Sequence, residues 1–414
     1  MGSFIDHIDY PDGEFSNYEQ VYLAMSRAFS HLEKEHWGIH CVCSVRVSQD
    51  APNKTTLGER LRKAWMRLVV EYPGLSMVPA GRQKKYPRLD EKGLETWTEI
   101  VLLIQHWRVD ALGTCMLLDR VFEILGQSTA SSTQHKEVEP SPPTPSFESA
   151  AGAFKTEDAA LQAYAREYID AFHRRAVNAG GLPYQGDATT PPSRSTHWGL
   201  EFSVDSTDAI MDACRRQKVS VTAAIHTALA QTVFSYLTEM ECQTGYTTVM
   251  AVNMRPYLPP PYDSKKHACQ TFVASIAPTV PYHSGFVDSA RSLTQEYRNW
   301  WSPDFMRSLW WIYEYHLARL SRPRPANAGP VKPPSGVTLS SPGVVDWNLR
   351  GNYGPHLQIN QFRFGVRQTI LYAWTFKGRL TLSLNYNEAY YSDSMAREVV
   401  SRVASHLEKD LTWS

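Results

Sequence analysis

The stretch TWTEIVLLIQHWRVDALGTCMLLDRVFEIL, Thr96 to Leu125, changes its period halfway along, and that change constrains the fold more than any other feature of the chain. TWTEIVLLIQHW is rich in Ile, Val, Leu and Trp over the length of a strand, which predicts a buried strand running into His106. ALGTCMLLDRVFEIL then repeats apolar residues at helical spacing through Leu112, Met116, Leu117, Val121, Phe122 and Leu125, with Gly126 offered as the C-terminal stop. A strand that feeds a helix through a short polar turn is a building unit of α/β proteins. The unit leaves His106 and Asp110 at the break.

The same two periods recur along the chain. Thr55 to Tyr72 puts Leu57, Leu61, Trp65 and Leu68 on one helical face, ended by Pro73 and Gly74. Helices are predicted over Asp158 to Val177, over Ser220 to Leu237 with Ser220 or Thr222 as N-cap, and over SDSMAREVVSRVASHLEKDL at the end. STHWGLEFSV, TTVMAVNM, ACQTFVASIAPTV, QTILYAWTF and GRLTLSLNYNE have strand character. Residues 126–150 are dominated by Ser, Thr, Pro and charge and read as a solvated, flexible loop. GGLPYQGDATTPPSRSTHW has the Gly and Pro density of a linker, which places a lobe boundary near 180–195. A chain of 414 residues is too long for one ordinary core. The expectation is an α/β protein of two lobes, residues 1–185 and 186–414, each a mixed sheet with flanking helices.

Lys+Arg and Asp+Glu both number 42, and the basic residues are scattered, so no footprint for nucleic acid is visible. No stretch reaches the roughly 18 apolar residues of a membrane span, and MGSFIDHIDYPDGEF has no apolar leader core, which predicts a cytoplasmic protein. Cys41, Cys43, Cys115, Cys214, Cys242 and Cys269 are too dispersed for a disulfide scaffold and read as reduced thiols. HWGIHCVC suggests a metal cluster of His36, His40, Cys41 and Cys43, but strand alternation sends both cysteines to the face opposite His40, and no metal is expected. Asn53-Lys54-Thr55 is a glycosylation sequon without a secretory signal to make it relevant.

A histidine held at the end of a rigid strand is well placed to act as a general base. The HxxxD spacing of His106 and Asp110 is by itself weak, because 14 histidines in a chain of this length give on the order of one chance match. A second match, His406 to Asp410 in HLEKD, falls inside the last predicted helix, where an i,i+4 pair is a surface neighbour contact. Context separates the two, since His106 alone stands between a strand and a helix.

IQHWRVDALG, together with LRKAWMRLVVEYPGL, VSVTAAIHTALAQTV, AVNMRPYLPP and FKGRLTLSLNYNEAYYS in that order, resembles the coenzyme A-dependent acyltransferase superfamily. That superfamily includes chloramphenicol acetyltransferase, the plant BAHD enzymes and the condensation domains of peptide synthetases. Within it the chain is most similar to enzymes of the fungal trichothecene 15-O-acetyltransferase type. The resemblance implies two chloramphenicol acetyltransferase-like lobes with an active-site tunnel at their interface. It also implies a monomer that uses acyl-CoA, such as acetyl-CoA, as co-substrate, holds no permanent cofactor, and acylates a hydroxyl of an apolar small molecule. His106 would be the general base, and Asp110 would pair with Arg255 to link the lobes instead of orienting the imidazole as in a triad. Ser340 and Ser341 would be candidate oxyanion donors, and Asp346 a structural residue corresponding loosely to the aspartate of the BAHD DFGWG signature. Two departures stand out: Ala111 follows Asp110 where the family has glycine, and DFGWG itself is replaced by SSPGVVDWNLRG.

No G-x-S-x-G elbow sets a nucleophile beside a histidine, which favours direct attack in a ternary complex over an acyl-enzyme. YRNWWSPDFMRSLWWIYEYH, with four tryptophans, reads either as core or as the wall of an apolar acceptor pocket. Two other activities fit the same fold: a cyclase that shapes a polyene-type substrate without coenzyme A, and a non-catalytic condensation-like binding module.

Overall fold

The computed structural model describes residues 13–28, 30–32, 38–47, 57–80, 82–85, 99–127, 141–178, 180–187, 189–322, 335–353, 357–366 and 369–411. His36, the sequon at Asn53 and residues 128–140 of the expected loop lie outside them. In chain order the first elements are helix α1 (Asn17–Ser26), strand β1 (Gly38–Val47), α2 (Leu57–Glu71), the hairpin β2 (Val78–Ala80) and β3 (Gln83–Lys85), β4 (Glu99–Gln105), α3 (Ala111–Gln127) and α4 (Phe147–Ala150). Next come α5 (Ala159–Arg175), β5 (Ser195–Glu201), α6 (Val204–Gln217), α7 (Val221–Phe234), α8 (Glu239–Cys242), β6 (Tyr246–Thr247), β7 (Met250–Asn253), β8 (Val273–Ile276) and β9 (Thr279–Val280). The chain continues with α9 (Phe286–Asn299), α10 (Pro303–Arg307), α11 (Leu309–Leu320), β10 (Thr338–Val344), β11 (Leu357–Val366), β12 (Ile370–Phe376), β13 (Arg379–Asn387) and α12 (Asp393–Lys409).

Two compact units result, and both are discontinuous. The first takes Met1–Phe154, Asn253–Phe272 and Val345–Phe364; the second takes Lys155–Val252, Val273–Val344 and Gly365–Ser414. The expected boundary at 185/186 therefore falls inside the second unit. The Gly- and Pro-rich stretch there is stitched down: Leu182 is buried and donates its N–H to Ser335 O, and Gln185 N–H donates to Tyr390 O. A Cβ on Gly181 would stand 2.3 Å from Ser335 O, so its glycine serves close packing.

The first unit is built on the sheet β11-β1-β4. β1 and β4 run antiparallel with Gly38 opposite Gln105 and Cys41 opposite Leu102. Ile100, Leu102 and Ile104 of β4 are buried, but Val101 and Leu103 are 51% and 66% exposed, so the strand expected to be buried throughout covers the core with one face only. α3 follows as predicted and buries Cys115, Met116, Leu117, Leu118, Val121, Phe122, Ile124 and Leu125. It runs on through Gly126 to Gln127; a Cβ at Gly126 would meet Tyr353 O at 2.7 Å, so this glycine admits a neighbouring backbone where a stop was expected.

Part of the stretch expected to be a flexible loop is also packed. Ser146 caps α4, and Phe147, Glu148 and Ala150 are buried. α3 is held to the two later segments of the unit by Asp119. Its Oδ1 accepts from Arg350 N, Arg350 Nε and Tyr353 Oη at 3.0, 2.9 and 2.7 Å, and its Oδ2 from Lys265 Nζ at 3.2 Å.

The second unit carries the sheet β5-β13-β12-β10-β7-β8, parallel at β10–β12 and antiparallel at β12–β13 and β13–β5, so it is mixed as expected. α7, capped by Ser220, is buried on most of its surface, and α12 packs Ala396, Val399, Val400, Val403 and Leu407 into the same core. The aromatic run spans the end of α9, α10 and α11. Its four tryptophans are half-buried, while Phe305, Leu309, Ile312 and Tyr313 supply the buried face. α11 and α10 lie against α5, where Tyr168 meets Phe305 and Phe172 meets His316.

Candidate active site

β4 ends at Gln105, His106–Arg108 form a turn, and α3 begins at Ala111. The three residues inside the motif anchor that turn. Trp107 is buried with its ring edge-on to Phe15, and Val109 is fully buried. Arg108 stacks on Trp107 and donates to Gly74 O and Leu75 O, tying the turn to the segment that ends α2.

Asp110 does not orient the imidazole. Its carboxylate, 2% exposed, takes Gly113 N at 2.8 Å and Arg255 Nη1 at 3.0 Å on Oδ1, and Arg255 Nη1 and Phe272 N at 2.8 and 2.9 Å on Oδ2. Those four contacts fill the lone-pair positions a carboxylate offers. Arg255, also buried, reaches Gln270 O with Nη2 and lies over the Phe272 ring. The ion pair expected from the resemblance is present, but it lies within the first unit, because residues 253–272 return to that unit from the C-terminal half of the sequence.

The glycine question has a structural answer. Ala111, where the family has glycine, is half-buried at the first position of α3. Gly113 is the position without room: a Cβ there would stand 2.3 Å from Ala268 O and 2.7 Å from a Val109 methyl. The close approach of the 253–272 segment is thus admitted two residues further along.

His106 is half-buried, and its Nδ1 is enclosed, so the accessible surface lies on the rest of the residue. Burial lowers its pKa below the ordinary 6.5, opposed by hydrogen bonding to the backbone of His106 itself, by the charge of Asp110 and by the backbone of Val109. The ring is therefore neutral at neutral pH. Thr271 Oγ1 donates to the His106 carbonyl at 2.7 Å. Tyr22 of α1 leans over the imidazole, ring centroids 5.9 Å apart, and burial pushes its phenol up to about 12 despite a hydrogen bond with Tyr18.

No motif in the sequence singles out Tyr22, Thr271 or Gln270. α1 could have been found from the capping box Ser16-x-x-Glu19, in which Ser16 Oγ accepts from Glu19 N and Glu19 Oε2 from Ser16 N. Glu19 is also the buried partner of Lys84 at 2.8 Å, and Gln270 Nε2 donates to its other oxygen at 3.3 Å.

Ser340 and Ser341 stand on β10 in the second unit, where Ser341 Oγ shares a hydrogen bond with Thr222 Oγ1 at 3.0 Å. Asp346 lies half-buried in a short turn, Val345–Trp347, where the chain re-enters the first unit. All six cysteines are buried thiols, each raised in pKa chiefly by burial. Among the described residues no group of three or more His, Cys, Asp or Glu could hold a metal, and no helix is long and apolar enough to cross a membrane.

The fold, with a histidine at the end of a strand and a buried Asp–Arg pair behind it, is that of the two-lobed acyltransferases and condensation domains. The trichothecene 15-O-acetyltransferase TRI3 of Fusarium sporotrichioides superposes with a TM-score of 0.71 over 95% of each chain at 14% identity. The condensation domain of the Monacolin K polyketide synthase MokA does so at 0.61 over 98% of each chain at 11% identity. No family model matches the sequence. Full-length relatives do: "Azaphilone biosynthesis cluster protein M" of Aspergillus terreus is 80% identical over 99% of this chain and 98% of its own. The O-acetyltransferase pigM of Monascus ruber is 39% identical over 96% and 85%. The chain belongs to the fungal acyltransferase family of these two proteins and is an acyltransferase.

Proposed function

We propose that the protein transfers an acetyl group from acetyl-CoA to a hydroxyl of an apolar, azaphilone-type secondary metabolite, with His106 as the general base. The observation that carries this reading is the half-buried imidazole held on the turn after β4, together with the O-acetyltransferase activity named for a relative 39% identical. An alcohol must lose its proton as it attacks a thioester carbonyl, and a neutral imidazole can take it, an effect on the order of 10²–10⁴ in rate. With Nδ1 enclosed, Nε2 is the nitrogen assigned to that proton. Direct attack in a ternary complex fits the thiols, all pushed away from the reactive thiolate form by burial. The named transferase relatives favour this reading over the cyclase and the binding module.

His106→Ala is expected to abolish acetyl transfer from acetyl-CoA while circular dichroism and melting temperature stay near those of the parent; parent-like turnover would remove His106 from the chemistry. Because the imidazole pKa is lowered, kcat/KM of the parent should hold level below pH 6.5 before falling on the acid side. Calorimetry with acetyl-CoA tests the donor separately.

A further inference from the structure

We propose that Thr271 is a positioning residue for His106, setting the orientation and basicity of the imidazole through the histidine's own carbonyl group. This inference rests on the reading of His106 as the base.

Residues 270–272 hold the catalytic turn at both ends. At one end the Thr271 hydroxyl donates to His106 O at 2.7 Å; at the other, Phe272 N–H donates to Asp110 Oδ2 at 2.9 Å. The segment is itself fixed. Gln270 O accepts from Arg255 Nη2 at 3.2 Å, Gln270 Oε1 accepts from Thr271 N at 2.8 Å, and Gln270 Nε2 donates to Pro145 O at 3.0 Å. Gln270, Thr271 and Phe272 are all buried, Thr271 and Phe272 completely.

The His106 carbonyl follows β4 by one residue, beyond Gln105, the last residue paired with β1, where the sheet no longer fixes its direction. The Thr271 hydroxyl takes over that task. The same backbone also acts on the imidazole, as one of the influences that favour its protonated form. The positive end of the hydroxyl dipole points at the carbonyl oxygen and reduces the negative potential that the ring senses. Removing the hydroxyl therefore has two effects: the carbonyl and ring lose a fixed orientation, and the imidazolium becomes easier to form. A β-branched residue suits the place, since its χ1 is restricted and the hydroxyl is held on target.

The test compares Thr271→Val, which keeps shape and removes the donor, with Thr271→Ser, which keeps the donor and removes the methyl. Thr271→Val is expected to lower kcat about tenfold or more with KM little changed. It should also move the acid limb of kcat/KM, and the NMR titration of His106, to higher pH. Thr271→Ser should restore both. If Thr271→Val does not fold, Thr271→Cys, with a thiol that donates only weakly, should give an intermediate shift in the same direction. A variant that merely melts earlier while His106 titrates as in the parent overturns the proposal, as does a serine variant that behaves like the valine one. The NMR titration needs no turnover. Activity surviving in His106→Ala would thus overturn the general base, while an unmoved His106 titration in Thr271→Val would overturn only the role of Thr271.

Discussion

The chain contains the same five-residue spacing twice, HWRVD at 106–110 and HLEKD at 406–410, and the two copies do opposite things with it. In the second, His406 lies in the last turn of α12 and Asp410 caps its C-terminus, and His406 Nδ1 and Asp410 Oδ2 meet directly on a partly exposed face. In the first, the residues straddle a turn and a helix start, and the aspartate's oxygens are occupied by Arg255, Gly113 and Phe272. The pair that looks like a catalytic dyad is a helix-surface contact. In the first pair the histidine, proposed as the base, keeps part of its surface accessible, while the aspartate is buried and holds three chain segments together.

The comparison is sharpest at Asp110. Asp110→Ala leaves Arg255 buried without its counter-charge and should cost on the order of 3–5 kcal/mol, read as a fall in the denaturation midpoint together with lost activity. If the variant kept its stability, the structural reading of this aspartate would be wrong.

Glu148 supplies an intermediate case, buried as deeply as Asp110 but, among the described residues, without an arginine against it. Burial pushes its carboxyl from the ordinary 4.5 up to about 7, although Tyr18 N–H donates to it at 2.8 Å. The folded state thus binds its proton more tightly than the unfolded chain does. The stability it contributes is complete below pH 4.5 and declines as pH rises towards about 7. Glu148→Gln should therefore stabilise the protein by on the order of 1–3 kcal/mol at pH 8 and hardly at all at pH 4.5, checked by melting curves at the two values. The smallest effect belongs to the second pair: Asp410→Ala should change stability by no more than about 0.5 kcal/mol and leave turnover as it was.

What the sequence reveals follows from the range of the forces involved. The β4–turn–α3 unit, α5, α7, β12, β13 and α12 are legible because their periodicity and caps are local, as with Ser220 before α7 and Asp158 before α5. Arg255 is legible only through the resemblance, since nothing in AVNMRPYL shows that its guanidinium will meet a carboxylate 145 positions earlier. Thr271, Gln270 and Tyr22 are illegible for the same reason. Each acts across long sequence separations, Thr271 on a carbonyl 165 residues away. The misplaced boundary has a different origin: Gly and Pro at 180–195 report backbone shape, and a chain can take such shapes inside a core as readily as beside one.

The discontinuity of the first unit has a consequence for how the protein is made. At a typical synthesis rate of 5–20 residues per second, Asp119 waits about 10–50 s on the ribosome before Arg350 and Tyr353 exist to meet it. Asp110 likewise emerges long before Arg255. During that interval the nascent chain exposes a half-built sheet and carboxylates destined for burial without their cations. Conditions that slow translation or lengthen the wait should therefore favour capture by chaperones at this stage, and the second unit shares the delay, since β5 waits for β13 to pair with it.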